Sequence, residues 1–125
     1  MKVLIADGSP LIHERIESLL ADVPGVTIAG CAVDVERAET MAAACTPDVF
    51  ILDASLPGGG CLRLLRELGT RPGAGGPVAI VLASPASLPY RRALKQAGAA
   101  MILDKVHEMN RLAGVLLSID RVPAT

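Results

Sequence analysis

Two acids, a hydroxyl and a lysine stand at matching places in this chain, each just after a short apolar run. Asp7 follows KVLIA, Asp53 follows VFIL, Ser84 follows VAIVLA and Lys105 follows AAMILD. A carboxylate can attack phosphorus to form an acyl phosphate, or it can hold a hard cation. Lysine brings a compact positive charge, and serine a neutral hydrogen bond able to break and re-form. Each residue alone also has a plainer reading. An aspartate at a strand end commonly caps the next turn, and Asp7 could cap a helix opening near Pro10. Ser84 and Lys105 could be a loop hydroxyl and a solvated charge. The sharper chemistry needs elements that bring the four side chains together.

The order of segments provides such elements. Lys2 to Ala6 reads as a buried strand, ended by Asp7-Gly8-Ser9. Ser9-Pro10 offers an N-cap with proline in the first turn, and Ile12, Ile16, Leu19, Leu20 and Val23 recur at helical spacing until Pro24-Gly25. Val26 to Ala32 is a second strand. Asp34 caps a second helix that turns Ala38, Met41, Ala42 and Cys45 inward. Val49 to Leu52 is a third strand, delivering Asp53 at its carboxyl end. After Gly60 a third helix carries Leu64, Leu65 and Leu68 inward, and Gly69 to Pro77 reads as a loop. Val78 to Ala83 is the fourth strand and Leu88 to Ala97 the fourth helix, capped by Gly98. Ala100 to Leu103 is the fifth strand. Glu108 to Ile119 is the last helix, with Leu112, Val115, Leu116 and Ile119 on one face.

Strands alternating with helices call for a doubly wound α/β domain with a parallel sheet covered on both faces. Ligands of such sheets bind beyond the carboxyl ends of the strands, the edge to which the four polar residues are delivered. We read residues 1–120 as one domain and 121–125 as a tail or the start of a linker.

Composition narrows the function. The chain has 125 residues, and a net charge of −1 offers no general attraction to nucleic acid or anionic lipid. Aromatic residues are 2% of the chain, too few for base-stacking platforms. No apolar run approaches a membrane span, so the protein is expected to be cytoplasmic and away from membranes. Cys31, Cys45 and Cys61 lack paired spacing, which fits reduced thiols, and His13 and His107 lack metal-ligand spacing. The glycines at 58 to 60 follow a strand, yet neither GxGxxG nor GxxxxGK[ST] is present. Tyr90, Arg91, Arg92 and Lys95 read as a solvated basic helical face.

LIADGSP, DVFILDASLPGG, IVLASP and GAAMILDK, in that order and spacing, make the chain resemble the receiver domain of two-component response regulators from Lys2 to about Ile119. The resemblance implies a flavodoxin-like fold with five parallel strands in the order 2-1-3-4-5. It implies Asp53 as phosphoacceptor, Ser84 as the hydroxyl that binds the phosphoryl group, and Lys105 as its cationic partner. It also implies a Mg²⁺ site formed by Asp7, Asp53 and the backbone carbonyl of Ser55. Such a domain is not an enzyme in the usual sense, although it catalyses phosphoryl transfer onto and off its own aspartate.

Several positions depart from that pattern. Gly8 stands where a second acid is usual, so Mg²⁺ binding is expected to be weak. Val106 follows Lys105 where proline is common, and a trans bond is expected there. Ile102 fills the place of an aromatic switch residue, which excludes a readout through that ring, and Pro85 follows Ser84. The implied partners are a histidine kinase or phosphotransfer protein upstream, and a downstream protein or an output domain absent from this sequence. A homodimer through the fourth helix, fifth strand and fifth helix is a further expectation. Two alternatives compete: a pseudo-receiver that binds partners without phosphorylation, and a flavin- or nucleotide-binding protein of similar fold, which the missing glycine frame and scarce aromatics disfavour.

Overall fold

The strand segments are apolar along nearly their whole length, a pattern suited to burial on both faces. In the computed structural model, which describes residues 1–58, 60–70, 76–84 and 88–119, they form one parallel sheet. The strands are β1 (Lys2–Ala6), β2 (Thr27–Ala32), β3 (Val49–Asp53), β4 (Val78–Ala83) and β5 (Ala99–Asp104). The helices are α1 (Pro10–Leu20), α2 (Val35–Cys45), α3 (Cys61–Leu68), α4 (Leu88–Ala97) and α5 (Leu112–Ile119). Strand order is β2-β1-β3-β4-β5, every neighbouring pair parallel. The expected doubly wound, flavodoxin-like topology is therefore the observed one.

Side chains alternate across each strand, and the sheet splits the core in two. Leu4, Ala6, Phe50, Leu52, Val81 and Ala83 face α2, α3 and α4. Val3, Ile5, Val49, Ile51, Ile80 and Leu82 face α1 and α5, where Ile16, Leu20, Leu112 and Leu116 close over them. β3 is buried at all five positions, whereas β2 at one margin is mostly half-buried. Asp53 thus sits at the end of the most deeply enclosed strand.

Local chemistry sets the ends. Pro10 opens α1, and Asp34 Oδ1 accepts the Arg37 N–H at 2.8 Å to cap α2. Gly98 has φ +124° after α4, and a Cβ there would overlap the carbonyl oxygen of the buried Thr70.

β2, β3 and β5 differ from the expected bounds by one residue at one or both ends, and two helix boundaries differ by more. α1 stops at Leu20, and Val23 is held in a following turn by its N–H on the Leu20 carbonyl. The last helix is divided: a 3₁₀ turn, Met109–Arg111, precedes α5. Glu108 explains the division. Its carboxylate accepts the Asp104 N–H and the Arg111 guanidinium, each at 2.8 Å, so it folds back on the chain while its backbone stays non-helical. Gly59, most of the expected 69–77 loop, Pro85 and the 121–125 tail lie outside the described residues.

Candidate functional site

The carboxyl edge of the sheet receives Asp7 from β1, Asp53 from β3, Ser84 from β4 and Lys105 just beyond β5. Three of the four touch. Lys105 Nζ lies 2.7 Å from Asp7 Oδ2 and 3.3 Å from Asp53 Oδ2. The backbone prepares this contact, because Lys105 N–H donates to the Ala83 carbonyl at 2.8 Å and fixes the start of the lysine side chain beside β4.

Each acid is set by its own loop. Asp7 is 2% exposed; its Oδ1 accepts the Ser9 N–H at 2.9 Å, and its backbone carbonyl meets His13 Nε2 at 2.6 Å. His13 is itself buried on the inner face of α1, so helix and strand end are tied together. Asp7 Oδ2 is buried with no aligned hydrogen-bond donor among the described residues, and the Lys105 ammonium lies beside it. Asp53 Oδ1 accepts the Ser55 N–H at 3.0 Å, which leaves Oδ2 toward Lys105.

The two acids sustain the charge of the lysine. Burial works against the Lys105 ammonium, but the Asp7 and Asp53 carboxylates outweigh it and hold the amine above its ordinary range. Close by, burial and the Asp53 charge push the Cys61 thiol up to about 12, which leaves it unreactive as a nucleophile. All three cysteines are free thiols.

Ser84 stands one residue past β4 with its side chain exposed, and it makes no hydrogen bond among the described residues. Ser55 is exposed beside Asp53. No peptide bond among the described residues is cis, so Val106 follows Lys105 through a trans bond.

Hard oxygen donors suit Mg²⁺, and the edge offers two carboxylates with a buried, unaligned oxygen on Asp7. No group of three or more acidic, histidine or cysteine side chains is gathered as a metal cluster among the described residues. Gly8 accounts for the missing acid. A Cβ at this position would lie 3.3 Å from Pro57 Cδ, so the Pro57 ring must give by a few tenths of an ångström to admit a side chain there. The donor set fits a cation held by few protein ligands and several waters.

One expectation is corrected. Tyr90 is not on a solvated face: it is half-buried, and its hydroxyl donates to the Ala54 carbonyl at 3.0 Å. Its spacing to the buried Leu94 and Ala97 places all three on one side of α4, a helical signal present in the sequence. The inward His13 was likewise missed, although it shares its spacing with Ile16 and Leu20.

Comparison with known proteins places the chain in a family. Residues 3–116 match the response regulator receiver domain family. The response regulator GacA of Pseudomonas protegens is 31% identical over 112 residues, covering 90% of this chain and 52% of that protein. A protein-glutamate methylesterase/protein-glutamine glutaminase of Anaeromyxobacter dehalogenans is 34% identical over 109 residues, 84% of this chain and 30% of its own. The chain therefore spans about half or less of these relatives. Among solved structures, the receiver domain of NarL from Mycobacterium tuberculosis superposes with TM-score 0.82 at 23% identity, covering 94% of both chains. The isolated REC domain of RcsB from Salmonella enterica serovar Typhimurium, in the presence of phosphomimetic BeF3−, gives 0.84 at 22% identity, covering 95% of this chain and 87% of that one. The chain belongs to the response regulator receiver domain family.

Proposed function

We propose that this receiver, read as residues 1–120, accepts a phosphoryl group on Asp53 and uses it to switch a protein partner or an attached output domain. The observation that carries the reading is the Lys105 ammonium shared between Asp7 and Asp53 at the carboxyl edge. It neutralises charge where phosphoryl oxygens would gather. Asp53 Oδ2 forms the new bond to phosphorus, while the bond from phosphorus to the donor imidazole nitrogen of a histidine kinase or phosphotransfer protein breaks. That nitrogen keeps the electron pair and picks up a proton. Ser84, exposed before transfer, turns inward to donate its hydroxyl to the phosphoryl group.

Asp7, Asp53 and the Ser55 carbonyl would hold Mg²⁺, which supplies charge neutralisation at the phosphoryl oxygens. With Gly8 in place of a second acid, that affinity is weak. The output face is the groove lined by Arg91, Arg92, Lys95, Ala100, Met101 and Ile102, where a partner or a second copy of the chain would dock. A cytoplasmic location is part of the same proposal. No helix among the described residues is long and apolar enough to cross a membrane.

A second reading has its own support. Lys105 already pairs with both acids and Pro57 packs beside Gly8, an arrangement that a phosphorylation-independent binding module would hold without phosphate. Incubation with acetyl phosphate and Mg²⁺ followed by intact mass separates the two. One added phosphoryl group in the wild type, absent in Asp53→Asn, is expected. No gain in either protein leaves the second reading.

A further inference from the structure

Tyr90 is the chain's one tyrosine, and its hydroxyl crosses from α4 to the residue directly after Asp53. The peptide unit joining Ala54 to Ser55 is thereby held at both ends. Its carbonyl oxygen accepts from Tyr90 at 3.0 Å, and its N–H donates to Asp53 Oδ1 at 3.0 Å. The unit is planar and rigid, so its two ends cannot turn independently. Hydrogen bonds in series through one amide also polarise each other. A carboxylate pulling on the Ser55 N–H makes the Ala54 carbonyl a better acceptor for the Tyr90 hydroxyl.

The surroundings keep this line intact. Ala54 N–H is fixed to the Leu82 carbonyl at 2.9 Å, and both Ala54 and Tyr90 pack on the core between the sheet and α2, α3 and α4. Burial, then the nearby Cys61 and Asp53, hold the Tyr90 phenol above its ordinary range, so it stays a donor at neutral pH.

We propose that Tyr90 is the positioning residue that carries the state of Asp53 to α4 through the Ala54–Ser55 peptide unit. The inference rests on Asp53 as phosphoacceptor. Once Oδ2 is bonded to phosphorus and the donor has left with its electron pair, Oδ1 is a neutral acyl oxygen. Hydrogen bonds to ionised acceptors are about twice as strong as neutral ones, so the Ser55 N–H bond weakens. The amide loses polarisation, the Tyr90 bond loosens, and α4 is freed to repack against β5. An aromatic residue thus enters the readout from α4, where Ile102 of β5 offers none.

Tyr90→Phe keeps the ring and removes only the hydroxyl. With acetyl phosphate and Mg²⁺, wild type and Tyr90→Phe should both gain one phosphoryl group by intact mass. Phosphorylation should move the amide NMR resonances of residues 88–97 in the wild type and leave them in place in Tyr90→Phe. Equal shifts in the two proteins would overturn the proposal. A second measurement needs no phosphate: urea unfolding of wild type, Asp53→Ala, Tyr90→Phe and the double variant. The two substitutions should be non-additive by at least about twofold in the unfolding equilibrium constant. Additive effects would also overturn the proposal. A coupled cycle in a protein that takes no phosphate supports the Tyr90 link and removes the phosphoacceptor reading instead.

Discussion

Lys105 is held more closely by Asp7 than by Asp53, with Nζ at 2.7 Å from the Asp7 carboxylate and 3.3 Å from the Asp53 carboxylate. The more buried acid therefore anchors the lysine, and Asp53 shares it. On the proposed function, a phosphoryl group arriving on Asp53 would find the cation beside it.

Removing that cation should have two effects. Lys105→Met leaves two enclosed carboxylates without their shared cation, and destabilisation of about 1–3 kcal/mol is expected, below the fully buried range because the lysine keeps some exposure. The same change should tighten Mg²⁺ binding measured by calorimetry, since the ion no longer competes with an ammonium group. Unchanged Mg²⁺ affinity would count against Asp7 and Asp53 as its ligands. The pH dependence has a definite sign. The folded-state pKa of Lys105 is raised above 10.5, so its stabilisation is fully present below that value and is lost as pH rises through the folded value. Wild type should lose stability above that pH more steeply than Lys105→Met in urea titrations.

Gly8→Asp restores a carboxylate but must displace the Pro57 ring, whose Cδ lies 3.3 Å from where a Cβ on residue 8 would stand. Tighter Mg²⁺ binding and faster phosphorylation are expected, with a larger gain when Pro57→Ala is added. Equal affinities for wild type, Gly8→Asp and the double variant would show that residue 8 does not govern the cation.

Gly98 is a test of the fold rather than of the site. Its φ of +124° is strained for any residue with a side chain, and a Cβ would collide with the Thr70 carbonyl. Gly98→Ala should cost about 2 kcal/mol or more, against roughly 1 kcal/mol for Gly60→Ala, where φ is +97° but the space is open. Comparable losses in urea unfolding would mean that the Thr70 contact relaxes freely.

These cases show where sequence reading succeeds. Apolar runs ending in Asp7, Asp53 and Ser84 announced the sheet and its working edge, because period and punctuation are local signals. Gly98 could be placed as a cap for the same reason. Pro57 over Gly8 and Tyr90 on Ala54 could not, since each joins segments distant along the chain. The break before α5 was hidden because Glu108 suits a helix by propensity and is diverted by the Asp104 N–H. Helical spacing did carry the inward direction of Tyr90, but three neighbouring basic residues masked it.

Ser84 supplies the last prediction. Its side chain is exposed and makes no hydrogen bond among the described residues. It stands one residue past β4 and four before α4. A hydrogen bond to the charged phosphoryl group is worth roughly 1.5–3 kcal/mol before reorganisation. That shifts a two-state equilibrium by about one to two decades, enough to switch α4 if the resting packing is only slightly favoured. Ser84→Ala should therefore slow phosphate uptake on Asp53 and shrink the response of α4 amides even once the protein is fully phosphorylated. The comparison with Tyr90→Phe then sorts the two contacts. If Ser84→Ala leaves the α4 shifts whole while Tyr90→Phe removes them, the hydroxyl only binds phosphate and the signal runs through the peptide unit alone. If both variants lose them, pull from Ser84 and release by Tyr90 are both required for α4 to move.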